Sequence, residues 1–443
     1  MANDPIERAR QLQRALYRAA KRSVSRRFHA LYDKVCRPRQ GGVASGMGVG
    51  EGQSRLGGTG VDNQTIQSIE EAGMEAFLHQ VQEQLREGRY RPHPAKRVYI
   101  PKSDGRQRPL GIPVVRDRVV QAAVKIVIEP IFEADFQPCS FGFRPKRSRQ
   151  RRDANEVIRQ VANKGHEWVV DADIENYFDT IDHEKLMEMV EKRISDRRMM
   201  KLIRQFLEAG VLEDGKVRTA TAGTPQGGVL SPLLANIYLN YLDKVWMERW
   251  RRVGILVRYA DDAVILCRTE TDAQEALRRL HIIMERLGLK LHPSKTRLVN
   301  LKDGKDGFGF LGFYHRKLKS WRYGRCYLQR WPGRKAMEAI REKIRTIAGN
   351  RSRLNRSLKE VIAGVNPVLR GWGNYFRVGN SSRHFQLIDM HVLERLCLFL
   401  SKKHGKSGRG WGQRWRHINF RKEGLHQLVG TSRRHNYPVQ ALE

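Results

Sequence analysis

The chain has 443 residues, of which 83 are Lys or Arg and 47 are Asp or Glu, for a formal net charge of +36. That length supports several domains with their own cores, and the charge points to a polyanionic partner, nucleic acid before any other. No apolar run approaches a membrane-spanning helix, and Cys36, Cys139, Cys267, Cys326 and Cys397 form no C-x-x-C pair, which argues against a membrane protein, a zinc ribbon and a disulfide framework.

The N-terminal stretch is basic and amphipathic without the apolar core of a secretory signal, so it reads as helix on a cytosolic protein. Residues 38–60 lose periodicity and become Gly-rich, and helical spacing returns over 64–88. Two strands are expected around the turn Ser103-Asp104-Gly105, then a helix starting near Arg116. "HEWVVDADIENYFD" reads as a buried strand running into a helix, "VLEDGKVRTA" as a short polar hairpin, and "SPLLANIYLNYLDKVW" as a helix. Next comes "VRYADDAVIL", two short strands meeting at a tight turn that holds Asp261 and Asp262 side by side. A helix, "TDAQEALRRLHIIMERLGL", precedes a strand pair, "KTRLVN" with "GFGFLGFYHRKLK". From about 317 the chain is basic with interspersed tryptophans. This order describes an α+β layer with helices on one sheet face.

Two adjacent carboxylates at a hairpin tip raise each other's pKa, and desolvation adds to the penalty. The bland reading is a solvated turn, where Asp is common. A third acid, Asp173, closes the apolar run that begins at Trp168, 88 positions before Asp261, and only the fold can bring it near. Three converging carboxylates require cations, and Mg²⁺ is the hard, oxygen-seeking choice. Asp173 also suits a helix N-cap, and both readings stand on the residues alone.

The set "DADIENYFD", "TPQGGVLSPLLANIYL", "YADD", "HPSKT" and "FLGF", in that order, resembles reverse transcriptases. With "RPLGIPVVRDRVVQAA", "SFGFRPKRS" and "VNPVLRGWGNYFR", it resembles the group II intron-encoded reverse transcriptase/maturase family over about 64 to 435. The resemblance implies a right-hand polymerase with fingers and an antiparallel palm sheet, then an α-helical thumb or maturase domain and a basic C-terminal region. The boundaries expected are a basic extension over 1–37, the Gly-rich segment 38–62, fingers 63–165, palm 166–316, thumb 317–390 and a DNA-binding-like region 391–443.

On residues, the resemblance implies that Asp173 and Asp261 bind two Mg²⁺ ions, with Asp262 as third carboxylate and the Ile174 carbonyl as a further ligand. Lys102 and Arg108 would hold the dNTP triphosphate, Gln226 would contact the incoming nucleotide, and Lys295 would assist proton transfer to pyrophosphate. Phe178 would exclude a ribose 2′-hydroxyl; its bland alternative is a core aromatic. Arg144, Arg147, Arg370, Trp372 and Arg377 are the expected nucleic-acid contacts, the aromatics among them also suiting a helical core. The implied partners are intron RNA template, DNA primer or target and dNTPs, with no membrane. The implied function is RNA-directed DNA synthesis together with help in intron splicing and mobility. The absence of paired C-x-x-C motifs and H-N-H histidines leads us to expect no second-strand nuclease. Two other readings stay open: a splicing maturase with a vestigial polymerase site, or a reverse transcriptase of another retroelement or CRISPR-associated system.

The Gly-rich segment departs from the family, which has an amphipathic W-x-x-V-R-x-N helix there. Met47-Gly48 must be encoded ATG-GGN, which contains the Trp codon TGG one base later, and Glu51-Gly52 in that shifted frame forces Lys or Arg. Either residues 38 to about 57 are translated out of frame through compensating indels, or the segment is a flexible linker.

Overall fold

The computed structural model describes residues 5–36, 58–101, 107–145, 150–218, 222–225, 227–319, 324–349, 354–406 and 411–432. The expectations for Lys102, Arg147, Gln226 and residues 38–57 fall outside them. The chain forms two compact units, the first made of Met1–Gln150, Ala172–Ile265 and Gln274–Arg297, the second of Arg151–Asp171, Leu266–Ala273 and Leu298–Glu443. Among the described residues no helix is long and apolar enough to cross a membrane.

In the first unit, α1 (Pro5–Arg22) buries Ala9, Leu16 and Ala20, a stripe at helical spacing, and leaves its arginines outside. Its C-terminal carbonyls are capped by the buried Arg193, which donates to Ala20 O at 3.1 Å and Ser23 O at 3.2 Å while facing Asp135 at 3.3 Å. After α2 (Tyr32–Val35), α3 (Ile66–Arg86) starts on a capping box between Thr65 and Ser68. The helix α4 (Val115–Glu133) is apolar around most of its circumference and accordingly buried. Strands β1 (Ala95–Pro101) and β2 (Gln107–Ile112) pair antiparallel, with Arg108 opposite Ile100. The polar hairpin β4 (Val211–Glu213) and β5 (Lys216–Arg218) turns through Asp214 and Gly215, both at positive φ, as a tight two-residue turn requires. It joins β1 in parallel, giving the order β2-β1-β4-β5.

The sheet that carries the YADD turn is ordered β6-β7-β3-β8, from β3 (Trp168–Asp173), β6 (Ile255–Tyr259), β7 (Asp262–Cys267) and β8 (Arg297–Asn300). The helix α5 (Gln150–Asn163) precedes β3, and between β3 and β4 lie α6 (Tyr177–Thr180), α7 (His183–Glu191) and α8 (Arg197–Glu208), the last two N-capped by Asp182 and Asp196. The expected helix after "TPQGGVL" is α9 (Ser231–Val245), extended by a π-helical turn at Trp246–Trp250, and α10 is Glu270–Leu287.

One expectation is corrected. "KTRLVN" does not pair with "GFGFLGFYHRKLK": β8 joins the sheet of β3, whereas the second segment is itself a hairpin, β9 (Gly307–Phe310) and β10 (Phe313–Lys319). Its turn, Leu311-Gly312, is left-handed at both residues, which closes a two-residue hairpin inside what sequence alternation presents as one strand. With β11 (Cys326–Pro332) these make the second unit's sheet, ordered β11-β10-β9. After that sheet the chain is mainly helical: α11 (Arg334–Ala348), α12 (Leu358–Phe376), α13 (Ser382–Lys403) and the short α14 (Trp411–Arg414). Ile340, Ile344, Val365, Leu369, Phe385, Ile388, Val392 and Leu396 form its core. Phe420, Leu425 and Leu428 of the basic tail are buried in that core, consistent with aromatic content too high for a solvated tail.

Candidate active site

Asp173 is the last residue of β3, and the segment "LHPSKT" holds it on two sides. His292 N donates to the Asp173 carbonyl at 2.8 Å, and the Asp173 amide lies 3.4 Å from Thr296 Oγ1. The Lys295 ammonium sits 2.7 Å from Asp173 Oδ2. Ile174 bridges Leu291 antiparallel, and the two hydrogen bonds of that bridge use the Asp173 carbonyl and the Glu175 amide, so it does not use the Ile174 carbonyl.

Asp261 occupies the turn between β6 and β7, half-buried, and Asp262 opens β7 exposed. Burial pushes the Asp261 carboxyl up, its own backbone amide and Arg108 oppose that, and Asp173 raises it further. The fold therefore brings Asp173, Asp261, Arg108 and Lys295 into one electrostatic neighbourhood from four separate stretches of chain. Among the described residues no three acidic, His or Cys side chains are gathered so as to hold a metal ion. The donors offered are nevertheless all hard oxygens, a set that suits Mg²⁺ rather than zinc, and the ammonium on Asp173 marks a place where positive charge is already accommodated.

Behind the turn lies a buried polar assembly that sequence reasoning missed. Ala260 is at φ 57, a left-handed conformation that hairpins usually give to Gly. The guanidinium of Arg258 is fully buried and ion-paired with the equally buried Asp243 of α9. It donates to Asp243 Oδ1 at 2.8 Å, to Asn236 Oδ1 at 3.1 Å, to Ser140 Oγ at 2.8 Å and to the Ala260 carbonyl at 2.8 Å. Cys139–Phe141 runs alongside β6, exchanging backbone hydrogen bonds with Arg258. Gly142 follows directly under the turn: a Cβ there would stand 2.6 Å from the Ala260 amide nitrogen. Asn236 Nδ2 fixes the Gly142 carbonyl at 2.8 Å. The available signal was Arg258 itself, since an arginine inside an apolar strand demands a buried acid, and Asp243 is the one acid in the helix Ser231–Val245.

The other expected residues divide. Arg108 is exposed on β2 and acts on Asp261 through space. Phe178 is half-buried in α6 with its ring edge-on to Tyr177 at 5.4 Å. Arg370 is exposed on α12, and Arg377 caps the C-terminus of that helix, half-buried. One expectation is corrected. Arg144 is not open to a phosphate: its guanidinium is buried, bidentate to Glu133 at 2.7 to 3.1 Å, and donates to the Gln137 and Ser140 carbonyls. Trp372, half-buried, packs against Phe376 at 4.8 Å and Phe385 at 5.6 Å.

Residues 100–315 match the family model for reverse transcriptase (RNA-dependent DNA polymerase), and residues 337–418 match that for the group II intron maturase-specific domain. The chain is similar to protein YkfC of Escherichia coli K12, 36% identical over 351 residues that cover 71% of this chain and 90% of that protein. It is also similar to the group II intron-encoded protein LtrA of Lactococcus lactis, 42% identical over 177 residues that cover 39% of this chain and 29% of LtrA.

Proposed function

This chain belongs to the group II intron-encoded reverse transcriptase and maturase family, and we propose that Asp173 and Asp261, with Asp262 as third carboxylate, carry its DNA synthesis. As a family member it is an RNA-directed DNA polymerase that binds nucleic acid. In this reading the substrates are an RNA template, a DNA primer 3′-hydroxyl and a dNTP, and the RNA served by the maturase function is that of its own intron.

The observation that supports the reading most is the meeting of Asp173 and Asp261 from positions 88 residues apart, with one lysine and one arginine offsetting their repulsion. Asp173, Asp261 and Asp262, and the Ile174 carbonyl, would hold two Mg²⁺ ions. When bound, these supply a deprotonated primer hydroxyl and charge neutralisation for the departing pyrophosphate. The chain's own residues do the rest. Arg108, with Lys102, grips triphosphate oxygens through charge-assisted hydrogen bonds. Lys295 stabilises the developing charge on pyrophosphate and donates a proton to it. Phe178 and Gln226 select and orient the deoxynucleotide. Such a site works by holding reactants in line and by fixed charge.

The experiment is primer extension on an RNA template with the parent chain and Asp173→Asn, which removes one charge at constant shape. The reading expects incorporation to fall by at least about 10³-fold while the melting temperature holds. Incorporation at the parental rate would overturn it. RNA binding and splicing assistance without any incorporation by the parent would favour the maturase with a vestigial site.

A further inference from the structure

The turn that carries Asp261 has an awkward backbone and an unusually costly support. Ala260 holds a left-handed φ of 57 without being glycine, so the turn does not keep its shape by intrinsic preference. The contact that holds its carbonyl is Arg258 Nη1. A guanidinium has five N–H donors, and here each has an acceptor: both carboxylate oxygens of Asp243, Asn236 Oδ1, Ser140 Oγ and the Ala260 carbonyl. A buried ion pair is a poor way to gain stability, because apolar residues of similar volume do as well or better. A planar five-donor fork does what an apolar cluster cannot: it fixes one carbonyl relative to a helix and a neighbouring loop at once. The same assembly reaches the turn a second time, since Asn236 anchors Gly142, whose missing Cβ lets the Ala260 amide approach.

We propose that Arg258 is the positioning residue of the polymerase turn, holding the Ala260 carbonyl so that the next residue, Asp261, presents its carboxylate in the geometry that DNA synthesis needs. Asp243, Asn236 and Ser140 aim the guanidinium, and Arg258 itself touches no substrate. The inference rests on the reading that Asp261 serves polymerisation. It predicts that the worth of Arg258 lies in turnover and not in stability or in template binding.

Three variants test it in the full-length chain: Arg258→Lys, the double variant Arg258→Met with Asp243→Leu, and Asp261→Ala. The readouts are melting temperature, primer–template affinity by fluorescence anisotropy, kcat and KM for dTTP on poly(rA)/oligo(dT), and amide exchange of peptides covering residues 255–267. The double variant removes both buried charges, so a role in stability alone would leave it with parental kcat. Positioning instead predicts a kcat lower by about 100-fold, the order expected for an ångström-scale misplacement. The dTTP KM and template affinity would stay within about threefold, and exchange would quicken in the turn peptides alone. Arg258→Lys keeps the charge on Asp243 but not the fork, and is expected to lose roughly 10- to 30-fold in kcat. Parental kcat in either variant, or a loss carried by template affinity or by general unfolding of the lysine variant, overturns the proposal. If the double variant fails to fold, the lysine variant decides alone. Full activity in Asp261→Ala would instead overturn the underlying polymerase reading, whatever Arg258 does.

Discussion

His315 gives the second unit a built-in acid sensitivity that can be worked out from its surroundings. The imidazole is fully buried on β10, lies nearly parallel to the Phe308 ring at 5.0 Å, and is hydrogen-bonded through Nε2 to Asn155 Oδ1 at 2.8 Å. Its Nδ1 is buried and has no hydrogen-bond partner among the described residues. Burial, helped by the nearby Arg330 guanidinium, pushes the ring down to about 3 from an ordinary value of 6.5. Between those values the unfolded chain binds a proton that the folded chain refuses. Stability is thus intact above pH 6.5 and falls on acidification, by about 1.4 kcal/mol per pH unit or about 2 kcal/mol from pH 6.5 to pH 5. The perturbation that isolates this residue is His315→Gln, whose amide nitrogen can still donate to Asn155 but does not titrate. Urea unfolding at pH 7 and pH 5 would be compared for the two proteins; other titrating groups cancel in the difference. The parent is expected to lose about 2 kcal/mol more than the variant over that interval. Equal losses would show that His315 accepts a proton in place, and the account of a dry, neutral ring would be wrong.

Gly142→Ala puts a methyl 2.6 Å from the Ala260 amide, so the turn has to move; primer extension should fall by about 10- to 100-fold with little change in melting, and parental extension would show that the turn tolerates displacement. Arg193→Ala takes the ion-pair partner from Asp135, leaving only the more distant Lys244 and Lys21, and uncaps α1, which should cost about 3 kcal/mol in urea unfolding; a loss below about 1 kcal/mol would contradict the pinned N-terminal helix. Arg370→Gln should weaken RNA binding and lower the slope of log affinity against log salt by about 1, whereas Arg144→Gln should leave that slope unchanged and reduce stability. A changed salt slope for Arg144→Gln would restore it as a phosphate contact.

What sequence made legible follows the range of the interactions involved. The YADD hairpin, the polar hairpin that turns at Asp214-Gly215 and the helix α9 are written in neighbouring residues: alternation, a turn pair, helical spacing. The meeting of Asp173 with Asp261 was legible only as chemistry, because two acids that far apart in sequence are related by fold alone. Arg144 misled because an arginine in a basic stretch looks like a phosphate ligand, while its partner Glu133 lies 11 residues upstream on a helix whose burial is a tertiary fact. The same holds for Arg258, whose acceptors sit 15, 22 and 118 positions away. The β9–β10 turn was hidden because Leu311 carries a left-handed conformation that its side chain does not advertise.

The most direct test of the central claim is extension of an oligo(dT) primer on poly(rA) with dTTP and Mg²⁺ by the parent chain and by Asp261→Ala, with a third arm carrying residues 38–57 in the shifted frame. The account predicts synthesis in the parent, or at least in the shifted-frame arm, and none in Asp261→Ala at an unchanged melting temperature. Synthesis that survives the loss of Asp261 would contradict it.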